Sequence, residues 1–107
     1  MIKYKKIYLD AYGYNEGDFI RSELSDLPAV EFNHILCIGM GGSKNRELDR
    51  IENLIAVTRN EHIDYGDKKQ YYSYLFRIHK LDMMINGVKF DHEWIDKQIE
   101  KYRHYEL

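Results

Sequence analysis

Four polar residues between positions 33 and 62 have the types and the order that hydrolytic chemistry can use: Asn33 and His34, then Asn53, then His62. His34 closes one apolar stretch, Asn53 opens a second, and His62 follows a helix-start signal. Read as strand, loop, strand and helix start, these segments bring three polar groups to one end of a hairpin packed on a helix. An imidazole moves protons readily near neutral pH. Beside groups able to hold one ion, it suits a single-metal hydrolytic site.

The elements that must position these groups follow from local pattern. Ala29 to Leu36 reads as a strand, with Val30, Phe32 and His34 on one face and Glu31 and Asn33 on the other. Leu54 to Val57 is a short apolar run that reads as a second strand. Between them, Gly39-Met40-Gly41-Gly42-Ser43 forms a loop able to approach a ligand backbone closely, with Lys44, Arg46 and Arg50 after it. Thr58 and Glu61 have capping-box spacing, which starts a helix at Thr58 and sets His62 in its first turn; Gly66 ends that helix. Upstream, Lys3 to Tyr12 reads as a short helix or extended arm, and Asn15 to Asp18 as a turn. Downstream, Asp67 with Gln70 reads as a cap for a helix carrying Tyr71, Leu75, Ile78, Leu81 and Ile85 at helical spacing. Asn86-Gly87 marks a turn. Asp91 then caps a last helix with Trp94, Ile95, Ile99 and Tyr102 on its inner face.

A chain of 107 residues implies one domain, residues 1–107, with a modest core. Ten Tyr, four Phe and one Trp supply enough buriable surface to argue against disorder. The net charge of −2 is not that of a strongly basic nucleic-acid binder. Locally, however, Lys44, Arg46, Arg50 and Arg59 fall inside the motif segment, and Lys3, Lys5 and Lys6 near the start. The lone Cys37 excludes an internal disulfide and an all-Cys zinc site. No signal-peptide pattern and no membrane-length apolar run is present, so the expected location is cytoplasmic, with no membrane partner.

The order His34, Asn53, His62, with eight residues between the last two, resembles the small phage-type HNH endonucleases of ββα-metal fold. Gly41-Gly42 and Glu52-Asn53-Leu54-Ile55 stand where those proteins carry a glycine pair and an "ENL" run, and the resemblance covers about residues 17–80. It implies an α+β fold with a ββα-metal core at about residues 29–66, followed by helices at about 67–104. It also implies a metal-dependent endonuclease or nickase acting on DNA, of phage or mobile-element origin. On that resemblance His34 is the general base, Asn53 orients the loop carrying it, and His62 with Asn33 holds a single Mg²⁺ or Mn²⁺. Lys44, Arg46, Arg50 and Arg59 are the candidate phosphate contacts.

Departures from that pattern are informative. Many such proteins bind a structural zinc through two Cys-x-x-Cys pairs, whereas here Ser22, Ser25, Thr58 and Glu61 stand at those positions. Hydroxyls are poor zinc ligands, so no structural zinc is expected. Asn33 brings a neutral amide where relatives place His, Asp or Glu, which lowers the expected metal affinity. Ile38 replaces a basic residue. The alternative reading is an HNH-fold protein that has lost cleavage and binds nucleic acid or a protein partner, as in phage counter-defence. His79 is expected in packing or at the surface rather than as a ligand, and His92 and His104 in solvent.

Overall fold

The structure, a computed structural model, describes residues 2–36 and 48–106. Cys37, Ile38, the Gly39–Ser43 loop, Lys44 and Arg46 lie outside the described residues. The architecture is α+β. In chain order come α1 (Lys3–Tyr12), β1 (Glu31–His34), β2 (Leu54–Val57), α2 (Arg59–Tyr65), α3 (Lys69–Ile85) and α4 (His92–Tyr102). Single helical turns at Ile51–Asn53 and Arg103–Tyr105 precede β2 and follow α4. The two strands pair antiparallel, with Glu31 opposite Val57 and His34 opposite Leu54. Among the described residues no helix is long and apolar enough to cross a membrane.

Alternation along β1 decides what packs on each side of it. Phe32 meets Tyr8 of α1 at 5.1 Å between ring centroids, while Glu31 faces His62 of α2. All four residues of β2 are buried, because helices cover both of its faces. The first strand is shorter than the 29–36 reading. At its start the Ala29 amide bonds the Ile20 carbonyl instead of the ladder, and beyond His34 the Ile35 and Leu36 amides both reach across to Asn53, one to its carbonyl and the other to its side chain. The segment read as helix or arm is helical throughout Lys3–Tyr12 and stops at Gly13, whose φ of +75° suits glycine.

Two expectations for α3 need correction. Asp67 does not cap it: its φ of +57° puts it in the left-handed turn between α2 and α3, and Lys68 is the N-cap residue without a side-chain cap. The buried face of α3 is also rotated from the apolar spacing. Leu75, Phe76, His79, Asp82 and Met83 are buried, whereas Leu81 and Ile85 are 57% and 82% exposed. Polar residues occupy the inner stripe because other elements satisfy them. Against α3, the Asp91-capped α4 contributes Ile95, which joins Ile35, Ile55, Leu75, Phe76 and Met83 in the main core.

The polar part of that stripe ties the fold together. The side chains of His79 and Glu23 are both fully buried, with Nδ1 2.6 Å from Oε1. His79 Nε2 lies 2.6 Å from the Ile51 carbonyl oxygen. Both ring nitrogens therefore face acceptors, which requires the doubly protonated imidazolium. Burial alone would push the His79 pKa down, but the Glu23 carboxylate and the Ile51 carbonyl outweigh it and hold the pKa above its ordinary value of 6.5. The other Glu23 oxygen accepts from the Tyr8 hydroxyl at 2.6 Å and the Ala56 amide at 3.3 Å. Nearby, Asp82 accepts from Tyr12 at 2.8 Å and pairs with Arg21 at 2.5 Å. Burial and these carboxylates push the Tyr8 and Tyr12 phenols far up, so both remain donors.

Removing one member of a buried ion pair strands the other charge. His79→Ala is expected to cost about 3–5 kcal/mol in denaturant unfolding near neutral pH. Because the folded-state pKa of His79 is raised, its contribution is complete below the ordinary histidine value and is lost as pH rises through the raised one. The stability gap between parent and variant should therefore narrow on the alkaline side. A gap that stays constant there contradicts a charged His79.

Candidate functional site

The strand β1 lies at the edge of its sheet, and an open cavity of about 460 Å³ runs along it. Asn33 and His34 of β1 line this cavity together with His62 of α2, so three of the four residues singled out by spacing share one surface. The fourth, Asn53, is fully buried behind them. Its Oδ1 accepts from the Leu36 amide at 2.8 Å, and its Nδ2 donates to the carbonyls of Leu48 at 3.0 Å and Leu36 at 3.3 Å. One amide thus fastens both ends of the segment that leaves β1 and returns to β2.

His34 is oriented by two neighbours. Its Nε2 is 2.8 Å from Asp49 Oδ1, and its ring meets Tyr4 edge-on at 4.8 Å. A carboxylate oxygen accepts, so Nε2 carries the hydrogen and Nδ1 is left as the basic nitrogen. His62 is positioned by the capping box: Glu61 N donates to Thr58 Oγ1 at 3.1 Å, and Thr58 N to Glu61 Oε1 at 2.8 Å. The His62 Nδ1 is hydrogen-bonded to Glu31. Gly66 leaves room for the imidazole, since a Cβ there would stand 2.3 Å from His62 Cδ2.

The cationic candidates separate. Arg59 is 77% exposed with Nη1 3.6 Å from Glu31, beside His62. Arg50 is engaged elsewhere: it bonds Glu52 at 2.7 Å, approaches Asp91 at 3.4 Å and lies over the Trp94 ring at 4.4 Å. Lys44 and Arg46 are outside the described residues. Lys5 of α1, not among the candidates, lines the cavity next to Phe32. Sequence reasoning also missed Glu31 and Asp49 as site residues. Strand alternation already put Glu31 on the same face as Asn33, whereas nothing local marks Asp49. His79 is a buried ion-pair member, and His92 and His104 are exposed.

Among the described residues no group of three His, Cys, Asp or Glu side chains is disposed to hold a metal ion. Glu31 and His62 are a carboxylate and an imidazole in contact on the cavity wall, and Asn33 adds an amide oxygen there. That set suits a weakly held oxygen-preferring ion completed by water and phosphate, not a tight all-protein cage.

The four residues at the zinc-cysteine positions do meet. Ser22 Oγ bonds the Glu61 carboxylate and also accepts from the Leu24 and Ser25 amides at 3.1 and 3.3 Å. Burial pushes the Glu61 pKa up, but hydrogen bonds from Ser22, Ser25 and Thr58 outweigh it and hold the carboxyl below its usual range. Their polar atoms are spent on one another, an arrangement that fits a hydrogen-bonded knot and not a zinc ligand set.

No family model matches this chain, and no curated protein or solved structure is found to match it.

Elemental analysis of tag-free protein should give far less than one zinc per chain; a stoichiometric, chelator-resistant zinc needed for folding contradicts the knot. Asn53→Ala orphans three backbone groups and should destabilise by about 2–4 kcal/mol, at roughly 1 kcal/mol or more per lost partner.

Proposed function

We propose that this chain is a divalent-cation-dependent endonuclease or nickase of HNH type, hydrolysing phosphodiester bonds in DNA on a ββα-metal core. The observation that carries this reading is the shared cavity. A hairpin followed by a helix puts Asn33, His34 and His62 on one surface, while Asn53 fastens the strand ends behind it.

The chemistry follows from the residues. His34 Nδ1 takes a proton from the attacking water while Asp49 holds the ring in the required tautomer. His62 and Asn33 are the residues that would hold Mg²⁺ or Mn²⁺. A bound cation would supply charge stabilisation at a phosphate oxygen and at the leaving oxygen. Lys5 and Arg59 are placed to attract the phosphate backbone despite the net charge of −2. A second reading, a protein on the same frame that binds without cleaving, draws on the neutral Asn33.

A plasmid-nicking assay with Mg²⁺ or Mn²⁺ tests the proposal. His34→Ala should lower the rate by about 10²–10⁴-fold, the range for loss of a general base. Asn33→Asp should raise activity by supplying the missing charge. Nicking by His34→Ala at the parental rate overturns the assignment. DNA binding without nicking by the parent transfers the case to the second reading.

A further inference from the structure

Asn33 and His62 are both neutral ligand types, and two neutral groups hold a hard divalent cation poorly. The resemblance offers no replacement for the missing charge, but the strand does. Glu31 is two residues before Asn33, so both project from the same side of β1. Two residues along a strand are about 6.6 Å apart, within reach of one ion for side chains as long as these.

The surroundings of Glu31 suit a ligand better than a structural carboxylate. Its side chain is 29% exposed, in contrast to the fully buried Glu23. Its partners are His62, itself 35% exposed, and the largely exposed Arg59 at 3.6 Å. Neither contact closes a core, and Glu31 and His62 line the cavities on both sides of their contact. Asn33 lines the same cavity as Glu31 and His62 and makes no side-chain hydrogen bond to another described residue. Two ligands at right angles on an octahedral Mg²⁺ stand about 3 Å apart. A hydrogen-bonded carboxylate and imidazole therefore need only a small parting to share one ion. The Asp67 carboxylate, 3.9 Å from His62 Nε2, lies at the other ring nitrogen.

We propose that Glu31 is the anionic ligand of a divalent-cation site that it forms with His62 and the Asn33 amide. The site rests on the cation-dependent reading above but differs from the ligand set implied by the resemblance, which has no place for Glu31. The carboxylate is supplied from two positions earlier on the strand.

Manganese titration, followed by loss of the paramagnetic resonance signal of free Mn²⁺, reads binding without reference to cleavage. Expected results are binding by the parent, at least tenfold weaker binding by Glu31→Gln, and unchanged binding by His34→Ala. Restoring the charge one step along, in Glu31→Gln with Asn33→Asp, should recover most of the affinity. A carboxylate that only propped His62 would not be replaced in this way, and recovery also shows that the chain folds. Parental affinity in Glu31→Gln overturns the proposal, as does a parent that binds no Mn²⁺ at millimolar concentration. Nicking by the parent together with unchanged affinity in Glu31→Gln removes Glu31 but keeps the nuclease. Glu31-dependent affinity without nicking keeps the site and removes the nuclease.

Discussion

Glu23 sits where four parts of the chain meet, and its carboxylate touches each of them directly or through one ring. Tyr8 brings α1, the Ala56 amide brings β2, and His79 brings α3 together with the turn at Ile51. The backbone of Glu23 also donates to the Ala56 carbonyl at 3.0 Å, so this one residue satisfies both backbone polar groups of Ala56. A buried carboxylate without partners would cost several kcal/mol. Each of these elements is consequently held to a narrow range of positions, and β1 inherits its place from β2.

The residue just before Glu23, Ser22, comes next in that chain of dependence. It turns toward the N-terminus of α2 while Glu23 turns toward α3, so adjacent residues brace two different helices. Ser22, Ser25, Thr58 and Glu61, read from the sequence as standing at zinc-cysteine positions, form a knot of hydroxyls around the Glu61 carboxylate. Hydrogen bonds each contribute about 1 kcal/mol net, because water offers similar partners in the unfolded chain. Such a knot directs the start of α2 but cannot by itself hold the fold. The buried ion pair and the tyrosines of α1 take over that part of the stability.

What could be read from the sequence was what depends on near neighbours. The Thr58–Glu61 capping box, the Asp91 cap, the turn at Gly87 and the succession strand, strand, helix around Asn53 are local patterns, and the structure contains them. The co-location of Asn33, His34 and His62 followed from that succession. What could not be read was long-range. Glu23 and His79 are separated by 56 residues, and Arg21 and Asp82 by 61. An apolar count along α3 therefore chose Leu81 and Ile85, where the fold buries His79 and Asp82. Asp49 reaches His34 across the interstrand segment, and Lys5 and Tyr4 reach the cavity from a helix with no motif of its own.

The grip of Asn53 on Leu36 and Leu48 pins two points of the backbone to one side chain. Bringing two points of a chain together costs closure entropy, yet each doubling of the separation between them adds only about 0.6 kcal/mol. The strength of this clasp is therefore nearly indifferent to how many residues separate its two sides in the chain. What keeps His34 on one side and β2 on the other in register is the amide of Asn53 itself.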